Sequence, residues 1–316
     1  MSFAAKVREE LSRQTARSKH CRTAELAALL FFGGTLQIDE KDCMTLLFRT
    51  EQPVVSEVFF RLLKYLFHIP QEQTDTEMKE RKNGTLCTIR LTDPDTVQEI
   101  LKAVGTLGAD GKLQQEELPL TEQVILEKEC CRRAFLRGTF LAAGTVSDPN
   151  RSYHLEFLCN SEEQREQLRL LLEAEGIQAG TARRGRKEIV YLKEGAKIAD
   201  LLGLMEAHVS LLEFENARIM REVRGNINRK VNCETSNIRK TADAAAGQIE
   251  DLRLIEEKMG FAELPKALDE TARIRLQYPT ATLQELGGLM DPPVGKSGIN
   301  HRMRKLHLIA EQLRKD

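Results

Sequence analysis

Apolar residues along this chain follow two spacings, one typical of helices and one typical of strands, and the same succession of spacings occurs twice. The segments "LAALLFFGGTL" (26–36) and "LRGTFLAAGTV" (136–146) both carry apolar and small residues at helical spacing, followed by glycine and then threonine with an aliphatic residue. The two copies begin 110 residues apart. Such internal similarity predicts that one folding unit has been duplicated.

Segments rich in apolar and β-branched residues follow each copy and predict strands. Helical patterns separate them at 57–67 and at 161–176, the latter with Ser161 as N-cap and Gly176 as its stop. The order helix, strand pair, helix, strand pair, helix therefore occurs twice, which predicts an α+β domain with a duplicated αββαββα arrangement. The strand segments are "CMTLLFR" (43–49) and "TLCTIRL" (85–91) in the first copy, and "YHLEFLC" (153–159) and "EIVYLK" (188–193) in the second.

Small residues on the repeated helices support two compatible interpretations. In the first, the two helices pack against each other with their backbones close together, because helix separation depends on side-chain size at the contact. In the second, Gly34 and Gly144 end the helices in a left-handed conformation. The small residues concerned are Ala27, Ala28, Gly33, Gly34, Gly138, Ala142, Ala143 and Gly144.

The pattern changes near residue 225, and this change predicts a second domain. A helix at about 210–224 is followed by "GNINRKVNCETSN" (225–237), a polar segment typical of a linker or hinge. Helical patterns resume at about 235–259, ended by Gly260, and at about 265–277, ended by Pro279. The predicted division is a repeated domain at 1–225, with repeats at about 1–115 and 116–225, a linker at 226–233, and an all-helical domain at 234–316.

The end of the chain has the pattern of a helix-turn-helix from Thr282 to Leu313. Thr282 and Glu285 have the spacing of a capping box, which predicts a short helix. The segment "DPPVG" (291–295) stops it, since proline lacks the amide hydrogen. Ser297 is the predicted cap of a second helix. Its apolar positions, Ile299, Met303, Leu306, Ile309 or Ala310, and Leu313, share one face.

The opposite side of that second helix is basic, with four basic residues and no acidic residue between positions 296 and 305. In a helix-turn-helix the start of the second helix meets base edges, and flanking basic and amide groups bind phosphates. The pattern favours DNA binding over a solvated face of a helical bundle, with Arg302 as the expected paired contact to guanine. The candidate contacts are Lys296, Ser297, Asn300, His301, Arg302, Arg304 and Lys305.

Composition limits the other functional classes. The net charge is −1, and residues 226–316 carry 15 Lys and Arg against 13 Asp and Glu, so any DNA contact must come from a local patch. Seven cysteines, with no CxxC pair and no histidine at ligand spacing, predict reduced, mostly buried thiols and neither a metal nor a cofactor. No membrane span and no signal peptide are indicated, so a cytoplasmic location is expected.

Three long segments occur in order along the chain: "FLRGTFLAAGTVSDPNRSYHLEF" (135–157), "NRKVNCETSNIRKT" (228–241) and "PPVGKSGINHRMRKL" (292–306). Together they resemble the WhiA family of DNA-binding regulators, and the resemblance extends over nearly the whole chain. It implies an N-terminal domain of the LAGLIDADG homing-endonuclease fold and a C-terminal helix-turn-helix. It also implies a nucleoid-associated transcription regulator with roles in cell division, chromosome segregation and, in sporulating relatives, sporulation.

The resemblance raises the question of nuclease activity. A LAGLIDADG nuclease has one carboxylate at the foot of each of two packed helices, where metal ions hold the scissile phosphate. Gly33 and Ala143 occupy these positions, and neither binds a metal; Asp39 and Asp148 lie six and five residues further along. No catalytic residue is therefore expected. The alternatives are a metal-dependent homing-type endonuclease and a platform that binds another regulatory protein.

Two further basic segments are candidates for secondary DNA contacts. The segment "ARRGRK" (182–187) predicts a hairpin turn, and Arg183, Arg184 and Arg186 either touch phosphate there or only form an exposed tip. In residues 232–240, Asn232, Glu234, Thr235 and Asn237 either cap the first helix of the tail, or Arg239 and Lys240 reach the DNA backbone.

Overall fold

A computed structural model describes residues 1–38, 43–81, 84–106 and 124–315. The chain forms two compact units, Met1–Arg221 and Glu222–Asp316, each with its own apolar core. Within the described ranges, no helix is both long enough and apolar enough to cross a membrane.

The first unit contains the predicted repeat. Helix α1 (Phe3–Arg13) precedes it. The first copy comprises α2 (Lys19–Gly33), β1 (Gly34–Ile38), β2 (Met44–Thr50), α3 (Pro53–Phe67), β3 (Asp75–Arg81), β4 (Gly84–Leu91) and α4 (Pro94–Ala103). The second comprises α5 (Glu129–Ala143), β5 (Gly144–Val146), β6 (Leu155–Cys159), α6 (Glu162–Ala174), β7 (Gly180–Arg184), β8 (Lys187–Leu192) and α7 (Gly195–Leu204). This is the duplicated αββαββα order, so the predicted α+β class is confirmed.

Each copy forms one antiparallel sheet of four strands, in the orders β1-β2-β4-β3 and β5-β6-β8-β7. The four strands located from the sequence are β2, β4, β6 and β8, the central strands of the two sheets. Their inward side chains enter a core shared by both copies, where Phe48 on β2 stacks on Phe59 of α3 with ring centroids 4.1 Å apart. The four edge strands were not individually located.

Helices α2 and α5 pack directly against each other, as the small residues predicted. A Cβ atom at Gly138 would lie 2.6 Å from the Glu25 carbonyl oxygen and 2.8 Å from the Ala28 Cβ, so only glycine permits this approach. The left-handed interpretation of Gly34 and Gly144 is wrong, because their φ angles are −85° and −82°. A Cβ atom there would instead collide with Leu30 and Phe140 of the preceding helical turn.

A buried group of charges also crosses the contact between α2 and α5. Glu25 and Arg137 are 2% and 3% exposed, with Arg137 Nε 3.5 Å from Glu25 Oε1. The Arg137 guanidinium also donates to Glu206 Oε2 at 3.0 Å and to Gln14 Oε1 at 3.2 Å. Burial raises the pKa of the Glu25 carboxyl, and the nearby positive charge of Arg137 partly opposes that rise.

Helix α8 (His208–Lys258) runs without a break through the segment predicted to be a linker. Residues 226–233 are helical, so the expectation of irregular chain there is wrong. Helix periodicity is absent from this segment because residues 226–244 are exposed on every side and bury no apolar face. Glycine and asparagine lower helix propensity by only about 1 kcal/mol or less each, which permits a helix.

The second unit is all-helical. Its remaining helices are α9 (Lys266–Gln277), α10 (Leu283–Gly288) and α11 (Lys296–Lys315). Gly260, with φ of 80°, follows the end of α8, and α9 ends two residues before Pro279, as predicted. The core of the unit is formed by Leu252 and Ile255 of α8, Leu268 and Ala272 of α9, Leu286 of α10, and Ile299, Met303, Leu306 and Ala310 of α11.

Candidate nucleic-acid interface

Helix α10 begins with the predicted capping box. The Thr282 hydroxyl accepts from the Glu285 backbone N–H at 3.3 Å, and Glu285 Oε2 accepts from the Thr282 backbone N–H at 2.7 Å. The hydrogen bond from the Thr282 backbone holds the pKa of Glu285 below its usual value. This double cap fixes the start of a helix of only six residues.

A tight contact positions the turn between α10 and α11. The Val294 backbone N–H donates to the Gly287 carbonyl oxygen at 2.9 Å. A Cβ atom on Gly287 would overlap the Val294 carbonyl oxygen, whereas one on the adjacent Gly288 would meet nothing within 4 Å. Glycine at 287 therefore permits the backbone of the turn to lie directly on α10.

Helix α11 has the predicted apolar face. Ile299, Met303, Leu306 and Ala310 are buried against α8, α9 and α10, and they lie three or four residues apart. The predicted cap is wrong by two residues, because α11 begins at Lys296, so Gly295 precedes it and Ser297 lies inside its first turn. The Gly295 carbonyl oxygen already accepts the Ile299 backbone N–H at 3.1 Å, which starts the helix before Ser297.

The side of α11 opposite this apolar face carries four of the candidate contacts. Ser297, His301, Arg304 and Lys305 are exposed and lie at spacings of one, three or four residues on that side of the helix. Lys296 is also exposed, at the first residue of α11. The first turns of α11 thus bring hydroxyl, imidazole, guanidinium and ammonium groups to one accessible side.

The other two candidates, Asn300 and Arg302, lie at the sides of α11 and are half-buried. Arg302 Nη1 donates to Thr271 Oγ1 at 3.2 Å and to the Ala267 carbonyl oxygen at 3.4 Å, both on α9. Asn300 lines a pocket together with Asp251 and Arg314. The structure therefore uses the Arg302 side chain in contacts between α11 and α9.

The sequence analysis did not identify two residues that hold α10 and α11 in place, Asp251 and Arg275. Asp251 on α8, 6% exposed, accepts from Arg314 Nη2 at 2.6 Å and lies 2.6 Å from His307 Nδ1, which ties α8 to α11. Arg275, 2% exposed, donates to the Ala281 carbonyl oxygen just before α10. Arg275 had a signal in the sequence, since it lies at apolar-face spacing from Leu268 and Ala272. Asp251 had none.

The secondary basic segments are partly neutralised by acids. The predicted hairpin joins β7 and β8, with Gly185 at φ of 64° in its turn. Arg184 donates to both carboxylate oxygens of Glu156, at 3.1 and 3.0 Å, and Arg183 Nε lies 3.4 Å from Glu188 Oε1. Arg186 is exposed in the turn. On α8, Arg239 and Lys240 are exposed, and Arg239 Nε lies 3.9 Å from Asp243.

The feet of α2 and α5 end in Gly33 and Ala143, neither of which has an acid. Side chains from elsewhere bind the backbone there: Gln164 Nε2 donates to the Phe31 carbonyl oxygen at 2.7 Å, and Arg8 Nη2 donates to the Gly144 carbonyl oxygen at 2.6 Å. Burial lowers the pKa of Arg8 from its usual value. A guanidinium at this place opposes a divalent cation by charge repulsion.

The two acids that follow these helix ends in the sequence, Asp39 and Asp148, are the remaining candidates for metal ligands. The Asp148 carboxylate accepts from the Asn150 backbone N–H at 2.9 Å and from its side-chain amide at 3.0 Å, within the turn after β5. The bond from the Asn150 backbone lowers the pKa of Asp148. Asp39 lies outside the described residues.

Two αββαββα copies packed through their first helices, together with a separate helical unit ending in a helix-turn-helix, define a LAGLIDADG-like domain joined to a helix-turn-helix domain. Family models agree along the chain. The WhiA N-terminal LAGLIDADG-like domain matches residues 19–107, the WhiA LAGLIDADG-like domain matches 132–224, and the WhiA C-terminal HTH domain matches 227–310. The chain belongs to the WhiA family.

Relatives match over the full length. A protein of Lachnoclostridium phytofermentans named probable cell division protein WhiA is 41% identical over 99% of this chain and 100% of its own. A protein of Desulforamulus reducens with the same name is 42% identical over 99% of this chain and 97% of its own. The crystal structure of full-length WhiA from Thermotoga maritima has 25% identity and a TM-score of 0.59, covering 99% of both chains.

Proposed function

We propose that this chain binds double-stranded DNA through the exposed side of α11 and acts as a transcription regulator. The proposal rests on one observation: the start of α11 exposes a basic side, while the opposite, apolar side of the helix is buried in the core of the second unit. In helix-turn-helix proteins the first turns of a helix held in this way lie in the major groove of B-form DNA, which supports the proposal. The capping box, the Gly287 contact and Asp251 supply the rigidity that groove recognition requires.

The candidate contacts have different expected roles according to their positions. Ser297, His301 and Arg304 project from the accessible side and are placed for base edges or phosphate. Lys296 and Lys305 supply phosphate contacts. Asn300 and Arg302 lie at the sides, and a paired contact of Arg302 with guanine requires its guanidinium to leave Thr271. Of the two arginines among the candidates, Arg304 is exposed and Arg302 is bonded to α9, so Arg304 is the more accessible to DNA.

The names of the relatives support a proposed cellular role. They are named probable cell division proteins. A helix-turn-helix domain would direct a protein with such a role to particular sites on DNA. We infer a nucleoid-associated regulator in the cytoplasm, involved in cell division and chromosome segregation, with sporulation added in relatives that form spores. The hairpin arginines and Arg239 with Lys240 are proposed as secondary contacts.

The LAGLIDADG-like domain is proposed to be catalytically silent. Metal-dependent phosphodiester cleavage needs carboxylate ligands at both helix feet to hold cations and activate water. Gly33 and Ala143 provide no ligand, and the Arg8 guanidinium lies beside the foot of α5. We expect bound plasmid or linear duplex to remain intact after incubation with magnesium or manganese. Cleavage that persists through purification and is lost with a point variant of this chain would contradict this assignment.

Two matched double variants test the DNA-binding proposal. Arg304→Ala with Lys305→Ala removes two positive charges from the accessible side of α11, and Lys64→Ala with Lys102→Ala removes two exposed charges from α3 and α4. Fluorescence anisotropy with labelled fragments of the host genome measures affinity at fixed salt. We expect the α11 variant to bind at least about 10-fold more weakly, since two charge contacts are lost, and the control to bind like wild type. Equal losses in both variants would reject a specific role for α11.

A further inference from the structure

Two pairs of potential metal ligands meet at the N-terminal ends of α2 and α5. His20 and Cys21 lie in the first turn of α2, and Cys130 and Cys131 lie in the first turn of α5. One imidazole nitrogen and the three Sγ atoms all lie within 4.8 Å of one another. His20 Nδ1 is 3.1 Å from Cys131 Sγ and 3.3 Å from Cys21 Sγ. Three thiols and one imidazole therefore converge at one place.

The internal repeat explains why these ligands converge. The offset between the two copies is 110 residues, and this offset places His20 on Cys130 and Cys21 on Cys131. Because α2 and α5 pack side by side, equivalent first turns of the two helices face each other. Ligand spacing in the sequence did not indicate the cluster, because metal motifs are recognised from ligands close together in the chain and these two pairs are 110 residues apart.

The geometry and ligand chemistry match a structural zinc site. Zinc in proteins is held by four cysteine or histidine ligands at about 2.0–2.3 Å, so that ligand atoms in a tetrahedral site lie about 3.5–3.8 Å apart. In the cluster, His20 Nδ1 lies 3.1 and 3.3 Å from two of the sulfur atoms, and all four ligand atoms lie within 4.8 Å of one another, so these separations differ from the tetrahedral ones by about 1 Å or less. Cys21 and Cys131 are 7% and 2% exposed, whereas His20 and Cys130 are exposed, which leaves an entry path for an ion.

Two features beside the cluster would stabilise thiolates bound to a cation. The Ser18 hydroxyl donates to Cys21 Sγ at 3.2 Å, a hydrogen bond of the kind that supports a metal-bound thiolate. The helix N-termini also favour negative charge at this place.

We propose that His20, Cys21, Cys130 and Cys131 form a site for one zinc-class divalent ion that fastens the two copies of the repeat together. The site lies at the opposite ends of α2 and α5 from Gly33 and Ala143, about 20 Å away at 1.5 Å per helical residue. It is therefore separate from the nuclease metal position and has a structural role. Bound metal stabilises the packing of α2 on α5, because it binds the folded arrangement only.

Cobalt(II) titration of the reduced full chain tests this site directly. Cobalt bound by thiolates gives charge-transfer absorption in the near ultraviolet and strong visible bands typical of tetrahedral coordination. We expect saturation at one ion per chain, displacement by zinc, and a zinc-dependent rise in the melting temperature. The variants are Cys130→Ser, whose exposed position leaves the core intact, and Cys233→Ser, which removes an exposed cysteine of α8 as the control.

The variants separate the site from nonspecific thiol binding. Loss of a group that hydrogen-bonds to a metal ligand weakens metal affinity about 10–100-fold, and loss of a ligand itself should weaken it at least as much. Cys130→Ser should therefore weaken cobalt binding at least about 10-fold, with unchanged circular dichroism. Cys233→Ser should bind like wild type. Equal cobalt binding by wild type and Cys130→Ser would overturn the proposal. So would intact-mass spectra showing that Cys21 and Cys131 form a disulfide that excludes the metal.

Discussion

At the scale of single residues, glycines set how closely backbones approach in both units. Gly138 lets α5 contact the Glu25 carbonyl, and Gly287 lets the turn before α11 rest on α10. The sequence indicated the first contact through a repeated cluster of small residues. It gave no reason to distinguish Gly287 from its neighbour Gly288, because only the position of the Val294 carbonyl makes them different.

This difference predicts opposite effects of the same substitution at adjacent positions. Gly287→Ala places a Cβ on the Val294 carbonyl oxygen and should lower the free energy of unfolding of the second unit by about 1–3 kcal/mol. Gly288→Ala meets open space and should raise it by up to about 1 kcal/mol, because alanine favours the helix. Denaturant unfolding of the full chain, followed by circular dichroism, measures both. Equal destabilisation would show that the turn does not contact α10 in this way.

The buried charges between α2 and α5 predict a stability effect that depends on pH. Arg137→Met leaves Glu25 buried without its nearest cation and should lower the free energy of unfolding by about 3–5 kcal/mol at neutral pH. Arg133→Met, on the same helix, removes only an exposed pair with Glu129 and should change it by about 1 kcal/mol or less.

The sign of the pH effect follows from the raised pKa of Glu25. A carboxyl with a raised folded-state pKa contributes stability below its unfolded pKa and loses it as pH rises through the folded value. Removing the Arg137 charge raises the folded pKa further, so the penalty of Arg137→Met should shrink from pH 8 towards the acidic range around the ordinary glutamate pKa, about 4.3. A penalty that does not change with pH would mean that Glu25 stays ionised or finds another partner.

At the scale of elements, the sequence predicted what is buried and missed what is exposed. The central strands β2, β4, β6 and β8 were located because they carry apolar residues to the core. Edge strand β3 (Asp75–Arg81) is polar and almost wholly exposed, and β5 has only three residues, so neither has a readable pattern. Helices α9 and α10 were predicted closely because their stop signals and capping box are local.

Helix α8 shows the same limit. Its segment 226–244 has no buried side, and the polar composition that suggested a linker reflects this exposure. A helix without packing is stabilised only by its own hydrogen bonds and opens easily. We expect backbone amides in 226–244 to exchange with deuterium more than about 100-fold faster than those in 250–258, whose apolar residues are buried. Hydrogen-exchange mass spectrometry gives both rates. Similar protection would indicate that another surface covers the segment.

The candidate interface was partly readable for equally local reasons. The capping box, the proline-rich turn and the apolar spacing of α11 all occur within about 30 consecutive residues, which is the scale on which sequence patterns predict structure. The side-chain bonds of Arg302 to α9 and the Asp251 contacts join residues far apart in the chain. Such contacts appear only after folding, so the sequence could not rank Arg302 below Arg304.

At the scale of the whole molecule, duplication has opposite consequences at the two ends of α2 and α5. One end carries Gly33 and Ala143 in place of acids, with Gln164 and Arg8 bound to the adjacent carbonyls. The other end brings His20, Cys21, Cys130 and Cys131 together. The repeated domain is thus held together at both ends of its central helices. The helix-turn-helix unit carries the exposed basic side expected of a DNA-binding domain.

The salt dependence of DNA binding tests most directly whether α11 contacts the DNA. Anisotropy titrations across a salt series give the slope of log K against log salt, which counts the phosphates neutralised. We expect Lys296→Ala, Arg304→Ala and Lys305→Ala together to reduce the slope by about 2–3. Arg183→Ala, Arg184→Ala and Arg186→Ala together should change it by about 1 or less, since two of these arginines already contact acids. If the α11 variant kept the wild-type slope and the hairpin variant had a much smaller one, the DNA site would lie on the LAGLIDADG-like domain and the role proposed for α11 would be wrong.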